Sequence, residues 1–326
     1  MTRVAVVGAG VMGCAAAWAL TDRGADVTLY EQFELDHPRG SSHGRSRIVR
    51  LAYPELEWVR LGEEAMTGWR ELEAQSGREL LGLYGLVEMT SSPHLSSAGA
   101  LDACGVEYRL LEPAAARELG AAVPEGWTAL FQPDAGIVRA DLARHALLDV
   151  ARARGAHVRT GVRVASLDEL DADVVVVTAG AWVRGLVPDV PVRVTRETVA
   201  YFRLDHPQAS IVELNGATGG HSMYSLHDPE HGLKVGAHHA GPEVHPATDG
   251  EPDPALVERI AAWVAARLPD ADPAPVGAET CLYTSTADES FVLERRGRVV
   301  VGSPCSGHGF KFAPAIGRRL AELALD

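Results

Sequence analysis

VAVVGAGVMGCAAAWALTDRGADVTLYE, residues 4 to 31, reads as strand, glycine turn, helix, strand and acid, in that order. Val4–Val7 is a short apolar run of the kind that lies buried in a parallel sheet. Gly8, Gly10 and Gly13 follow in GxGxxG spacing, then an alanine-rich helical run to Leu20. Gly24 breaks the helix, Asp26–Tyr30 forms a second strand, and Glu31 closes the unit. Each part has a physical task. Gly8 permits a tight turn, Gly10 lets the backbone approach a pyrophosphate, and Gly13 lets the helix pack against the strand. The helix N-terminus offers unpaired N–H groups and partial positive charge to phosphates. Glu31 can accept hydrogen bonds from a ribose diol and disfavours a 2′-phosphate. The expected ligand is an ADP-containing dinucleotide. The motif leaves FAD and NAD open, and Gly10-Val11-Met12-Gly13 would equally suit a nicotinamide hydroxyacid dehydrogenase.

With 326 residues, 46% hydrophobic and 23% charged, the chain can bury a large core, and two domains are expected. The net charge of −14 argues against nucleic acid and anionic membranes as partners. No apolar run reaches membrane-spanning length, and the N-terminus enters a strand directly, which argues against a signal peptide. Cys14, Cys104, Cys281 and Cys305 show no CxxC pair or metal spacing, so a reduced, cytoplasmic setting is expected and no metal.

The loop from Gln32 to Ser46 is long enough to be functional, and it leads into Arg47 and Arg50. An amphipathic helix is expected over Leu56–Gln75. Beyond it come a strand-like stretch over Leu81–Met89, a helix over Leu95–Cys104, and another helix over Ala140–Arg154. Val162–Val164 continues an extended pattern. Asp173–Thr178 is a β-branched run that belongs in the middle of a parallel sheet and ends in a glycine turn at Gly180. A nucleotide domain that leaves near residue 80 and returns near 135 differs from the single N-terminal block of nicotinamide dehydrogenases, and weighs toward FAD. Val192–Leu204 alternates as a strand of a second sheet should. Further strands are expected over Ser222–Ser225, Leu233–Ala237, Glu279–Thr284, Phe291–Glu294 and Val299–Gly302, with a C-terminal helix from Phe312.

Five segments together resemble a known family. They are the N-terminal motif; Gly40-Ser41-Ser42-His43-Gly44-Arg45-Ser46-Arg47-Ile48-Val49-Arg50 with Tyr53; Gly232-Leu233-Lys234-Val235-Gly236-Ala237-His238; Thr280-Cys281-Leu282-Tyr283-Thr284; and Ser306-Gly307-His308-Gly309-Phe310-Lys311-Phe312. The sequence is similar to the glycine/D-amino acid oxidase flavoprotein superfamily and, within it, to the monomeric sarcosine oxidase and N-methyltryptophan oxidase group. The resemblance implies an α/β chain: a Rossmann-like FAD-binding domain of the GR2-type flavoprotein kind, interleaved with an α+β substrate domain on a mostly antiparallel sheet. The expected division is 1–80, 135–186 and 281–326 for FAD, and 81–134 and 187–280 for substrate.

A lone lysine is ordinarily a solvated surface charge; Lys311, between two phenylalanines in a glycine turn, is expected in the site instead. The resemblance implies that Lys311 and Arg50 clamp a substrate carboxylate, chemistry an Arg fork suits. Arg47 and His43 would lie by the flavin ring. Lys234, Gly236 and His238 share one strand face by the two-residue period; the resemblance gives Lys234 to dioxygen activation and His238 to the substrate. His239 is expected to point away, and Arg45 to be solvated. Tyr224 and Tyr283 would line the pocket. Cys281 would bond the flavin 8α-methyl carbon through sulfur, with Cys305 the alternative and Cys14 and Cys104 in the core. Gly307, His308, Gly309 and Lys311 form a turn whose N–H groups could face the flavin pyrimidine. Ser42, Val164, Ala179, Gly180 and Trp182 complete the expected cofactor contacts.

These expectations describe an FAD-dependent oxidase of a small secondary amino acid, sarcosine-like or cyclic, using dioxygen and releasing hydrogen peroxide, and acting as a cytoplasmic monomer. The alternatives are an oxidase of a cyclic or aromatic amino acid in natural-product biosynthesis and a flavin amine dehydrogenase with another electron acceptor. The composition of Leu226–Gly232 departs from the family pattern and leaves pocket size open.

Overall fold

The computed structural model describes residues 1–214 and 220–326. The first strand, Arg3–Val7, lies inside a six-stranded sheet with the order Val292–Arg296, Val299–Ser303, Val174–Val177, Arg3–Val7, Asp26–Tyr30, His157–Arg159. All pairings in it are parallel except the edge hairpin of Val292–Arg296 with Val299–Ser303. The valine runs at its centre are buried on both sides, which explains why they do not alternate. On one face the helices Val11–Asp22, Ala140–Ala153 and Ala313–Leu325 pack together. Close approach there depends on small residues: a Cβ on Gly317 would run into the Ala15 carbonyl.

The second sheet has eight strands: Pro275–Ser285, Arg193–Phe202, Gly232–Ala237, Met223–Asp228, Ser210–Leu214, Leu86–Thr90, Thr128–Gln132 and Arg109–Leu110. It is antiparallel apart from the Ser210–Leu214 and Leu86–Thr90 pair. Helix Pro254–Arg267 covers it, started by Asp253, whose carboxylate accepts the Ala255 and Leu256 N–H groups. A small third sheet joins Ser46–Val49, Gly136–Arg139 and Leu81–Gly82.

Three expectations change. The stretch from Leu81 to Met89 is two strands in two different sheets, because Gly85 turns the chain at φ 85° between them. Val162–Val164 is in no strand, although the Val162 N–H still donates to the Glu31 carbonyl at 2.8 Å. The strand carrying Cys281 starts earlier, at Pro275, and pairs with Arg193–Phe202, so residues 281–285 lie in the second sheet while 292–303 lie in the first. Among the described residues no helix is long and apolar enough to cross a membrane.

Candidate active site

A cavity of about 940 Å³ runs between the two large sheets, from Gly8 and Glu31 at one end to Lys311 at the other. At the first end Gly8 takes φ 102°, and a Cβ there would stand 2.6 Å from the Thr178 carbonyl oxygen. The turn enters helix Val11–Asp22 without a side-chain cap on Gly10, and the Val11 N–H donates to Ser42 Oγ at 3.0 Å. Gly13 does not line the cavity; a Cβ on it would run into the Gly8 carbonyl, which is the close helix–strand packing expected of it. Glu31 is buried and accepts the Ala9 and Phe33 N–H groups at 2.8 and 3.0 Å. Burial pulls its pKa up, yet the hydrogen bonds with His37, Ala9 and Phe33 hold it below the usual carboxylate value, so it is ionised. Val164, Ala179, Gly180 and Trp182 line the same end. A bare glycine turn, an uncapped helix start and an ionised acid fit a pyrophosphate and ribose.

The loop before strand Ser46–Val49 is wound around one guanidinium. Arg47 Nη2 donates to the Ser41 and His43 carbonyls at 2.9 and 2.6 Å, and Nη1 to the Ser46 carbonyl at 2.8 Å. His43 Nε2 lies 3.1 Å from the Thr280 carbonyl, which can only accept, so Nε2 carries the proton. Nδ1 is then a buried acceptor without a partner in the cavity wall. Burial, then the neighbouring Arg47 charge, pushes the His43 pKa to about 4. An orphaned acceptor there fits a ligand with ring N–H groups, as a flavin has.

Strand Gly232–Ala237 turns Lys234 toward the cavity, and His238 follows from the strand end. Gly236 is needed because the Tyr224 hydroxyl would stand 2.6 Å from a Cβ placed there. Lys234 is 4% exposed, and burial, with the Arg47 charge, lowers its pKa to about 8. Its partner is Glu279 at 3.5 Å, which also accepts from the Tyr201 hydroxyl. His239 was expected to point away. It sits at φ 55° just past the strand, so alternation has ended, and its ring lies 4.2 Å from His238 and 5.4 Å from Tyr283, by centroids. Arg45 is exposed and pairs with Glu230.

Cys281 and Tyr283 leave strand Pro275–Ser285 on the cavity face, while Leu282 packs with Ala181 and Val194 on the other. Burial raises the pKa of the Cys281 thiol, and those of Tyr224 and Tyr283. Cys305 also lines the cavity, its sulfur accepting the Thr284 N–H at 3.4 Å.

Lys311 is 3% exposed. Its Nζ donates to the Tyr53 hydroxyl at 2.9 Å and the His308 carbonyl at 2.6 Å. His308 Nε2 faces the Glu289 carbonyl at 3.1 Å and so carries the proton; Nδ1 therefore accepts from Tyr53 at 3.2 Å. Burial, then the Arg50 charge, holds the Lys311 pKa well below normal. Arg50 lies over the Tyr53 ring at 4.5 Å and donates to the Ala52 carbonyl at 2.6 Å and to Glu88 at 3.1 Å. Glu88 is 1% exposed and also accepts Ser97 Oγ at 2.5 Å; burial raises its pKa against the pull of Arg50. In the glycine turn, the N–H groups of Ser306, His308, Gly309 and Phe312 are used by carbonyls of Thr284, Cys305 and Gly309. Gly307 stays bare at φ 72°, because a Cβ would run into Tyr283 and His238.

Every sequence-predicted site residue except Gly13 thus lines one cavity. Sequence reading missed Glu88, Tyr201 and Glu279, the groups that hold the cations. Only a sheet register brings Tyr201 beside Lys234, and only tertiary packing brings Glu88 to Arg50.

A family model described as FAD dependent oxidoreductase matches residues 3–323. Peroxisomal sarcosine oxidase of Homo sapiens is 34% identical, with 98% of this chain and 91% of that protein covered. Monomeric sarcosine oxidase of Bacillus sp. (strain B-0618) is 30% identical over 99% of this chain and 92% of its own. Among solved structures, the open form of NikD, described as an unusual amino acid oxidase essential for nikkomycin biosynthesis, superposes with a TM-score of 0.86 at 26% identity, covering 100% of this chain and 95% of that one. The alignment to the human protein runs over 355 positions, more than the 326 residues here, so this chain is the shorter within the match.

Proposed function

The chain belongs to the FAD dependent oxidoreductase family, and from that premise we propose that it is an FAD-dependent amine oxidase whose substrate is a small secondary amino acid, N-methylated or cyclic. The observation that carries the substrate class is the pair of basic groups, half-buried Arg50 and buried Lys311, around Tyr53 at the far end of a cavity that begins at the dinucleotide turn. A half-buried guanidinium presents fixed N–H donors to a carboxylate, and the buried amine of Lys311 beside it adds further N–H donors.

When bound, FAD supplies the two-electron acceptor. The residues of the chain bind and orient. Arg50 and Lys311 hold the carboxylate, so that the carbon–nitrogen bond falls between Tyr224, His238 and Tyr283. The pocket excludes water with Trp58, Phe291 and Phe312, whose rings are packed around Tyr53 and His308. Lys234, ionised below about pH 8, provides positive charge where dioxygen takes up electrons. An N-methyl amino acid, water and dioxygen then give the demethylated amino acid, an aldehyde and hydrogen peroxide.

The same reading includes a flavin tether through Cys281, with Cys305 as alternative, the division into FAD and substrate segments with its last boundary moved from 281 to beyond Ser285, a cytoplasmic location, and a monomer, the last supported by the name of the Bacillus relative. The second reading, a cyclic or aromatic amino acid in natural-product biosynthesis, is favoured by the similarity to NikD.

The test is a visible spectrum taken anaerobically before and after sarcosine. Bleaching of a flavin band is expected. A band that persists with sarcosine but bleaches with a cyclic amino acid selects the second reading, and a band that no amino acid bleaches refutes both.

A further inference from the structure

We propose that His238, His239 and Glu289 form a binding site for one divalent cation of the zinc class, placed so that the cation blocks entry of the amino acid. The cation-binding claim goes beyond the amine oxidase reading; only the blocking effect rests on it.

Two imidazoles and one carboxylate converge where the strand end after Ala237 meets the turn before Phe291. One ligand atom from each lies within 4.8 Å of the others. Glu289 Oε1 is 3.4 Å from His239 Nε2, and Glu289 Oε2 is 4.0 Å from His238 Nε2. Tetrahedral ligands about 2.0 Å from a metal stand about 3.3 Å apart, so a small closure suffices.

The contacts inside the cluster are poor as ordinary hydrogen bonds. His239 Nε2 is buried, and its 3.4 Å separation from Glu289 Oε1 is long for a hydrogen bond. The backbone is also strained: His239 has φ 55° and Glu289 φ 60°, a region that costs non-glycine residues energy. Two unfavourable conformations on separate loops bring these side chains together. The Glu289 carbonyl is fixed from behind by His308 Nε2.

The donor set selects the cation. Two imidazole nitrogens with one carboxylate suit zinc and its neighbours and suit magnesium and calcium poorly. Three protein ligands leave a fourth position open. His238 and Glu289 line the cavity, and the His238 ring lies 5.5 Å from Tyr283, by centroids. A cation held there occupies the space in which His238 would meet the substrate, and withdraws the imidazole from it.

The test is calorimetric titration of the flavin-loaded protein with zinc chloride, with magnesium chloride as the control. One zinc per chain at micromolar affinity and no magnesium binding are expected. Glu289→Gln and His239→Asn, the latter tolerated at positive φ, should each weaken zinc by about tenfold or more, the loss that even an outer partner of a metal ligand produces. Glu289 is exposed, so that variant is expected to fold, which its flavin spectrum and Tm check. In turnover, zinc should raise KM for the amino acid and leave kcat unchanged. No saturable zinc binding up to millimolar concentration, or undiminished binding in either variant, overturns the site. Inhibition that leaves KM unchanged overturns its position. The calorimetry stands apart from turnover, so a chain that failed to oxidise amines would still report on the metal.

Discussion

At its nucleotide end the cavity is built on the glycine turn of residues 8–12 and the acid Glu31, flanked by residues 162–165 and 178–182, and it acts through bare backbone and a single acid. At the Lys311 end the wall is made of ionisable side chains from five separate segments, around Arg50, Tyr224, Lys234, Cys281 and Lys311. The first end works by leaving room, and its critical residues are those that lack a Cβ. The second works by charge held out of water, and its critical residues are those whose partners offset the cost of burial. Damage at the first should therefore be steric and abrupt. Damage at the second should be electrostatic and graded.

The largest expected effect is at the nucleotide end. Gly13→Ala drives a methyl group into the Gly8 carbonyl, and the purified protein should carry almost no flavin, read as the ratio of flavin to protein absorbance. Full flavin content would break the contrast at once. At the other end, Arg50→Met should raise KM for the amino acid about 10- to 100-fold, the value of one charge-assisted contact, while flavin content stays normal. If flavin content fell with KM, the two ends would not be separable.

Glu88→Ala leaves Arg50 without its carboxylate partner, and breaking such a buried pair should cost about 3 kcal/mol in denaturant unfolding. Stability within error of wild type would show that Glu88 is not ionised, or that water enters. A smaller effect is expected in pH. Burial lowers the Lys234 pKa from the ordinary lysine value to about 8, so its charge is present below that pH and lost above it. The rate with limiting dioxygen should fall as pH rises through about 8, whereas flavin reduction under anaerobic conditions should rise as the substrate amine loses its proton. Lys234→Met should abolish the first dependence and spare the second. The same variant comparison with Cys281→Ser is all-or-none: acid should release the flavin from the serine protein, and flavin kept in the pellet would move the tether to Cys305.

The contrast also explains what was legible in the sequence. Gly8, Gly10, Gly13 and Glu31 announce a nucleotide fold because turn, helix start and acid are local, and local spacing survives in one dimension. Lys234 and Lys311 could be named, but not their surroundings. Nothing in Leu86-Val87-Glu88-Met89-Thr90 marks Glu88 as a partner of Arg50 rather than a solvated strand residue, because the pair forms only when the second sheet packs against the loop from Arg50. His239 was misread for a related reason. The two-residue period holds only while the strand lasts, and the strand ends at Ala237. The boundary expected at residue 281 falls inside a strand of the second sheet, since a switch between sheets is set by pairing partners and not by composition.

Strand Pro275–Ser285 pairs with Arg193–Phe202 in unbroken register from Gly277 onward and carries Glu279, Cys281 and Tyr283 at alternate positions. It therefore acts as a ruler for inherited change. One residue inserted just before Ala278 would shift every later side chain to the opposite face, presenting Ala278, Thr280 and Leu282 in place of the acid, the thiol and the phenol. Relatives should thus share a fixed count of residues from Gly277 to the cysteine of this strand.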